Sequence, residues 1–159
     1  MQKRDSTKAI RETAATLLTE RLASAGFQVE PAPPGLVDLV IRRDGRPLLV
    51  KLLASAAPHH RGGRGSLGLH WMLPETVADR VALVDLSRSL CWMLPVSTFR
   101  EEAQALAGGR NHLDWIVVPL GKYSTGVPME PEFDKFRLDG AGAGQAPGRQ
   151  QAGGDDDVP

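Results

Sequence analysis

Residues 37 to 55, VDLVIRRDGRPLLVKLLAS, constrain the fold more than any other part of the chain. Two runs of Val, Leu and Ile flank Asp44-Gly45, a dipeptide that favours the two-residue turn of a β-hairpin. With that turn, Arg43 faces Arg46 and, counting outward, Asp38 faces Lys51. Strand side chains alternate between faces. Leu36, Asp38, Val40 and Arg42 then share one face with Leu49, Lys51 and Leu53. Val37, Leu39 and Ile41 share the other with Leu48, Val50 and Leu52. The second set is wholly apolar and belongs to a core; the first brings an acid and a lysine together. Pro47 donates no ladder bond, and a one-residue slip would put Asp38 and Lys51 on opposite faces. On a solvated face the pair is a plain cross-strand ion pair, worth at most about 1 kcal/mol.

The hairpin does not stand alone. Ile10, Ala14, Leu17, Leu18, Leu22 and Ala25 recur at helical spacing, with Ser6 or Thr7 as cap and Gly26 as stop. FQVE reads as a short strand and PAPPG as a rigid connector. APHHRGGRGS reads as a loop because of its Gly and Arg content. Strands are expected at Leu67–Met72, within ADRVALVDL, at SLCWML and at DWIVVPL. Thr98 and Glu101 have capping-box spacing, which predicts a helix to about Leu106, stopped by Gly108-Gly109. EFDKFRL closes the ordered part as a short amphipathic segment. From Asp139 the chain turns to Gly, Ala, Gln, Pro and Asp, a composition too poor in large apolar residues to order itself. The expectation is one α/β or α+β domain over residues 1–138, a mixed sheet covered by helices, and a disordered tail over 139–159.

Composition narrows the function classes. The 159 residues are 42% hydrophobic and 24% charged, which suits a globular chain with a real core. No apolar run is long enough to span a membrane, and MQKRDSTKAIRET lacks the apolar region of a signal peptide, so a cytoplasmic protein is expected. Cys91 is the only cysteine. It can form neither an internal disulfide nor a cysteine-cluster metal site, and in SLCWML it reads as a small buried hydrophobe. Net charge is zero, but the tail holds four Asp and one Arg, leaving +3 on residues 1–138. Five Arg and one Lys lie between Arg42 and Arg64 against one Asp. Arg42, Arg43, Arg46, Arg61 and Arg64 are therefore the candidate nucleic-acid contacts, and DNA the candidate partner, with a solvated loop as the plain alternative.

The order of elements resembles the PD-(D/E)XK nuclease superfamily, the fold of restriction endonucleases and archaeal Holliday junction resolvases. The likeness covers roughly residues 6–138. An N-terminal helix precedes a strand bearing an Asp, here GLVDLVI. The next strand carries a Lys, here LLVKLLAS. RVALVDLSRSLCWMLPVSTF is similar to the strand pair that ends in an aromatic and a Pro before a helix, and EFDKFRL to the closing segment. The resemblance implies a restriction-endonuclease-like α/β fold with a mixed central sheet flanked by helices. It implies Asp38 and Lys51 as catalytic residues, with Mg²⁺ on Asp38. A hard cation needs carboxylate oxygens, polarises the scissile phosphate and helps make hydroxide, while the lysine places that water and offsets developing charge. One position departs from the pattern. Where the family has an acid or Gln two residues before the lysine, this chain has Leu49. Glu12 and Glu20 on the first helix are the candidates for a migrated acid.

Other residues are weaker candidates. His59-His60 stand in a loop without an acid cluster near in sequence, and His70 and His112 have no partner at recognisable spacing. Trp92 and Trp115 lie in apolar runs and read as core, while Trp71 shares with them the alternative of stacking on bases. Asp85 is either a second acid or the residue that opens the turn before Leu90. Three functions remain: a nuclease-fold protein that binds nucleic acid or a protein partner without cutting, needing no cofactor; an active Mg²⁺-dependent DNA nuclease with a migrated acid; and a structural or regulatory interaction module.

Overall fold

The hairpin forms in the expected register. In the computed structural model, which describes residues 3–33, 35, 37–61, 66–118 and 127–138, β2 (Leu39–Arg43) and β3 (Arg46–Ser55) pair antiparallel from Arg43↔Arg46 to Leu39↔Val50. Asp44 and Gly45 have φ of 60° and 79°, the two positive values this turn requires. Pro47 leaves the register intact for a geometric reason. It follows Arg46, the residue that closes the turn, so its nitrogen points away from β2. The neighbour on that side, β6 (Arg80–Asp85), begins its pairing only at Val50↔Arg80. No ladder bond is lost.

β3 and β6 run parallel at the centre of a six-stranded sheet, in the order β1-β2-β3-β6-β7-β10. β1 is Gln28–Pro31, β7 Leu90–Pro95 and β10 Arg137–Leu138, and every other pairing in this sheet is antiparallel. The mixed α/β architecture expected from the sequence is therefore present. α1 (Lys3–Ser24) covers one face through Ala14, Leu18 and Leu22, which pack on Leu39, Ile41, Val50, Leu52, Ala82, Val84 and Cys91. β6 is apolar on both faces, as a central strand must be: Ala82 and Val84 meet α1, while Val81 and Leu83 meet the opposite core.

That opposite face is covered by a second sheet, which the sequence reading lacks. Its order is β4-β5-β9-β8, all antiparallel, with β4 His59–Arg61, β5 Ser66–Leu73, β8 Gln104–Ala105 and β9 Asn111–Val118. Leu69, Trp71, Leu73, Leu113 and Trp115 face inward and pack with Trp92, Leu94, Phe99 and Phe133. Trp71, Trp92 and Trp115 meet edge to face, with centroids 5.0–6.4 Å apart, so all three tryptophans are core residues.

Two local expectations are corrected. His59–Arg61, read as loop, pairs with Ser66–Gly68 as β4. The second helix, α2, spans Val96–Glu102 and has no side-chain cap. It starts directly after Pro95 because the Val96 amide donates to the Asp79 carbonyl (3.1 Å), a tertiary bond that replaces the Thr98 cap. It stops short of Leu106 because Gln104 and Ala105 join the second sheet. The tail from Asp139 and residues 62–65 of the RGGRG segment lie outside the described residues.

Candidate functional site

Asp38 lies just before β2, at the point where strand alternation breaks. Val37 packs with Trp71 and Leu83 in the inter-sheet core, whereas Leu39 packs against α1. Strict alternation would put both on one face, as the sequence reading did, so the backbone turns at Asp38. β2 ends its pairing at Leu39, which leaves the Leu52 amide of β3 without a ladder partner on that side. The Asp38 carboxylate takes that role: Oδ2 accepts from the Leu52 amide at 2.7 Å.

Two cations complete the site. Lys51 Nζ is 3.5 Å from Asp38 Oδ2, which brings together the acid and the lysine singled out from the sequence. Arg11, which sequence reasoning missed, donates from α1 to Asp38 Oδ1 at 2.7 Å. It precedes Ala14 by three residues and Leu18 by seven, and so shares the helix face turned to the sheet. Glu12 and Glu20 do not share it. Both are exposed, and neither side chain forms an ion pair or hydrogen bond among the described residues. The helix considered as the source of a second carboxylate thus supplies a guanidinium.

Leu49 reinforces this arrangement. It is half-buried and packs against the inter-sheet core. Its backbone is held by Asp79, whose carboxylate accepts from the Leu49 amide (2.9 Å) and whose amide donates to the Leu49 carbonyl (2.8 Å). A carboxylate flanked by two cations, an apolar neighbour and one backbone donor is electrostatically satisfied. A divalent cation approaching Asp38 would meet two positive charges first.

The basic residues divide into two sets. Arg42 pairs with Glu30 at 3.0 Å. Arg43 donates to the Ala25 carbonyl at the end of α1 and lies over the Phe27 ring. Both are engaged in contacts within the fold. Arg46, in contrast, lines an open groove of about 500 Å³ together with Arg80, Arg100, Asp79, Pro95 and Ser97. None of its three guanidinium groups has a hydrogen bond or ion pair among the described residues. Leu48, on the wall of this groove, lies three residues before Lys51, roughly 10 Å at strand rise. Of the two remaining candidates, Arg64 lies outside the described residues and the Arg61 side chain is not described.

Asp85 is not a second acid for Lys51. It is fully buried at the end of β6 and caps the turn Leu86–Arg88, accepting from the Ser87 amide and hydroxyl. Arg88 donates to Asp85 and, through two nitrogens, to Glu130, which also accepts from Trp115 Nε1. Hydrogen bonding to Glu130, and then to Asp85, pushes the Arg88 pKa up against the opposing effect of burial.

A separate cluster lies on the outer face of the second sheet. His70, His112 and Asp114 hold ligand atoms within 4.8 Å of one another, the single group of three metal-ligating side chains this close among the described residues. The legible signal for part of it is His112-Leu113-Asp114: alternate residues of a strand share a face. The link to His70 depends on β5 pairing with β9, which spacing along the chain does not reveal.

Among solved structures, a bacterial homing endonuclease, I-Ssp6803I, superposes with a TM-score of 0.56 at 17% sequence identity, over 80% of this chain and 85% of that one. At this identity the likeness establishes a shared nuclease-like fold. No family model and no curated protein matches the sequence.

Proposed function

We propose that this chain is a nuclease-fold protein that binds nucleic acid without cutting it. The observation that carries the proposal is the Asp38 carboxylate, occupied by Arg11, Lys51 and the Leu52 amide. Phosphodiester hydrolysis by a hard cation needs at least two well-placed oxygen donors and open coordination positions. Asp38 offers one carboxylate, already shared by two cations, and Leu49 contributes no donor. Binding needs less. The groove lined by Arg46, Arg80 and Arg100 carries three guanidinium groups without a partner among the described residues, and their charge suits a phosphate backbone. A homing endonuclease as neighbour in fold supports this choice of partner by analogy. No helix among the described residues is long and apolar enough to cross a membrane.

The test is a binding and cleavage assay on the full chain. Fluorescence anisotropy with duplex and single-stranded DNA is expected to show binding that weakens steeply with salt. Three phosphate contacts give a log–log slope of about −3 on duplex and about −2 on single strands. Replacing Arg46, Arg80 and Arg100 by Ala should remove most of that slope, whereas Arg42→Ala should leave it unchanged. Incubation with Mg²⁺ or Mn²⁺ should yield no product. Metal-dependent cleavage that disappears in both Asp38→Ala and Lys51→Ala would overturn the non-cleaving reading in favour of an active nuclease.

A further inference from the structure

The outer face of the second sheet collects three of the chain's four histidines. Leu69, Trp71 and Leu73 of β5 are buried in the core, so His70 and Met72 project outward. Leu113 and Trp115 of β9 are likewise buried, so His112 and Asp114 project the same way. The register sets His70 opposite Asp114, and Met72 opposite His112. His70 Nδ1 lies 2.6 Å from Asp114 Oδ1. The His70 and His112 rings stack at 5.5 Å, and His59 of β4 extends the row, its ring centroid 4.6 Å from that of His70. Two imidazoles and a carboxylate are thus fixed by the backbone pairing of two neighbouring strands, not by loops.

We propose that His70, His112 and Asp114 bind a divalent transition-metal ion of the zinc class. The donor set decides the class. Imidazole nitrogen with one carboxylate suits zinc and its neighbours, whereas Mg²⁺ takes oxygen donors. Around a tetrahedral ion with bonds near 2.0–2.1 Å, donors stand about 3.3 Å apart. The ligand atoms already lie within 4.8 Å, so side-chain rotation closes the site without moving either strand. Three protein donors leave one position to water or another ligand. The site lies on the far side of the second sheet from the Asp38 pair, and neither its presence nor its absence bears on the nucleic-acid proposal.

Calorimetric titration of the full chain with Zn²⁺, with Co²⁺ absorption as a second readout, tests the proposal. One equivalent of Zn²⁺ should bind with a Kd at or below the micromolar range, and Co²⁺ should give visible bands of a low-coordinate site. The melting temperature should rise with Zn²⁺ and return on adding EDTA. His112→Gln and Asp114→Asn change exposed-face groups without opening the core, and each should weaken binding at least about tenfold. His60→Ala, at a histidine outside the cluster, should leave it unchanged. Absence of saturable one-equivalent binding overturns the proposal, as does equal affinity in His112→Gln and Asp114→Asn, or equal affinity for Mg²⁺. Any of these outcomes would reduce the cluster to a His70–Asp114 ion pair beside stacked rings.

Discussion

Asp38, a candidate catalytic acid in the sequence, makes three structural contacts in the fold. Its oxygens satisfy an orphaned β3 amide and two cations, and its side chain is only 20% exposed. Removing it leaves the Leu52 amide and Arg11 without their partner, and an unmade bond to a shielded donor is costly. Asp38→Ala should therefore lower stability by about 2 kcal/mol in urea unfolding. Lys51→Met should cost no more than about 1 kcal/mol, because Arg11 and the amide still hold the carboxylate. Equal and negligible losses from both would remove the structural role and leave the residues kept for chemistry. The acid–lysine pair was legible because a local turn set the register that joins them. Arg11 was not. Its partner lies 27 residues away, and nothing in RET distinguishes an arginine that reaches the sheet from one in solvent.

At the scale of elements, local signals succeeded where the element's reason was local. The hairpin needed only Asp44-Gly45 and two apolar runs, and α1 only its stripe of Ala and Leu. β4, β8 and the start of α2 failed because distant partners decide them. Cys91 on β7 illustrates a case in between: its place in an apolar run announced burial, and it is fully buried against α1. Burial pushes its thiol up to about 11 from 9.0, opposed by the Arg21 guanidinium. A thiol whose folded pKa is raised contributes stability that is intact below the unfolded pKa. As pH rises from about 9 to 11 the unfolded thiol ionises first, and roughly 2–3 kcal/mol is lost. Cys91→Ala should show a shallower alkaline decline than the wild type, measured as the difference between two urea series across that window. A thiol reagent at pH 8 should label the native chain far more slowly than the unfolded one. Parallel alkaline declines with fast native labelling would mean that β7 opens away from α1.

At the scale of the molecule, the question is what holds two sheets and a closing segment together beyond apolar contact. The sequence offered one mixed sheet under helices, because the apolar runs of β5 and β9 name no partner. Their tryptophans instead form a core shared by both sheets. The polar tie across that core is Arg88. It links Asp85 at the end of β6 to Glu130 in the turn Glu130–Phe136, and Glu130 in turn accepts from Trp115 of β9. The first sheet, the second sheet and the C-terminal segment are thus joined through the Arg88–Glu130 pair. Asp85 is fully buried, and although Ser87 satisfies Oδ1, Arg88 is the donor to Oδ2. Removing one partner of such a pair strands a buried charge, which costs about 3–5 kcal/mol. Arg88→Leu should lose an amount in that range and shift the fluorescence of Trp115. Adding Asp85→Asn should recover part of it, because the stranded charge is then gone. A double variant no more stable than Arg88→Leu alone would place the loss in the Glu130 and Trp115 contacts instead, and with it the tie between the sheets.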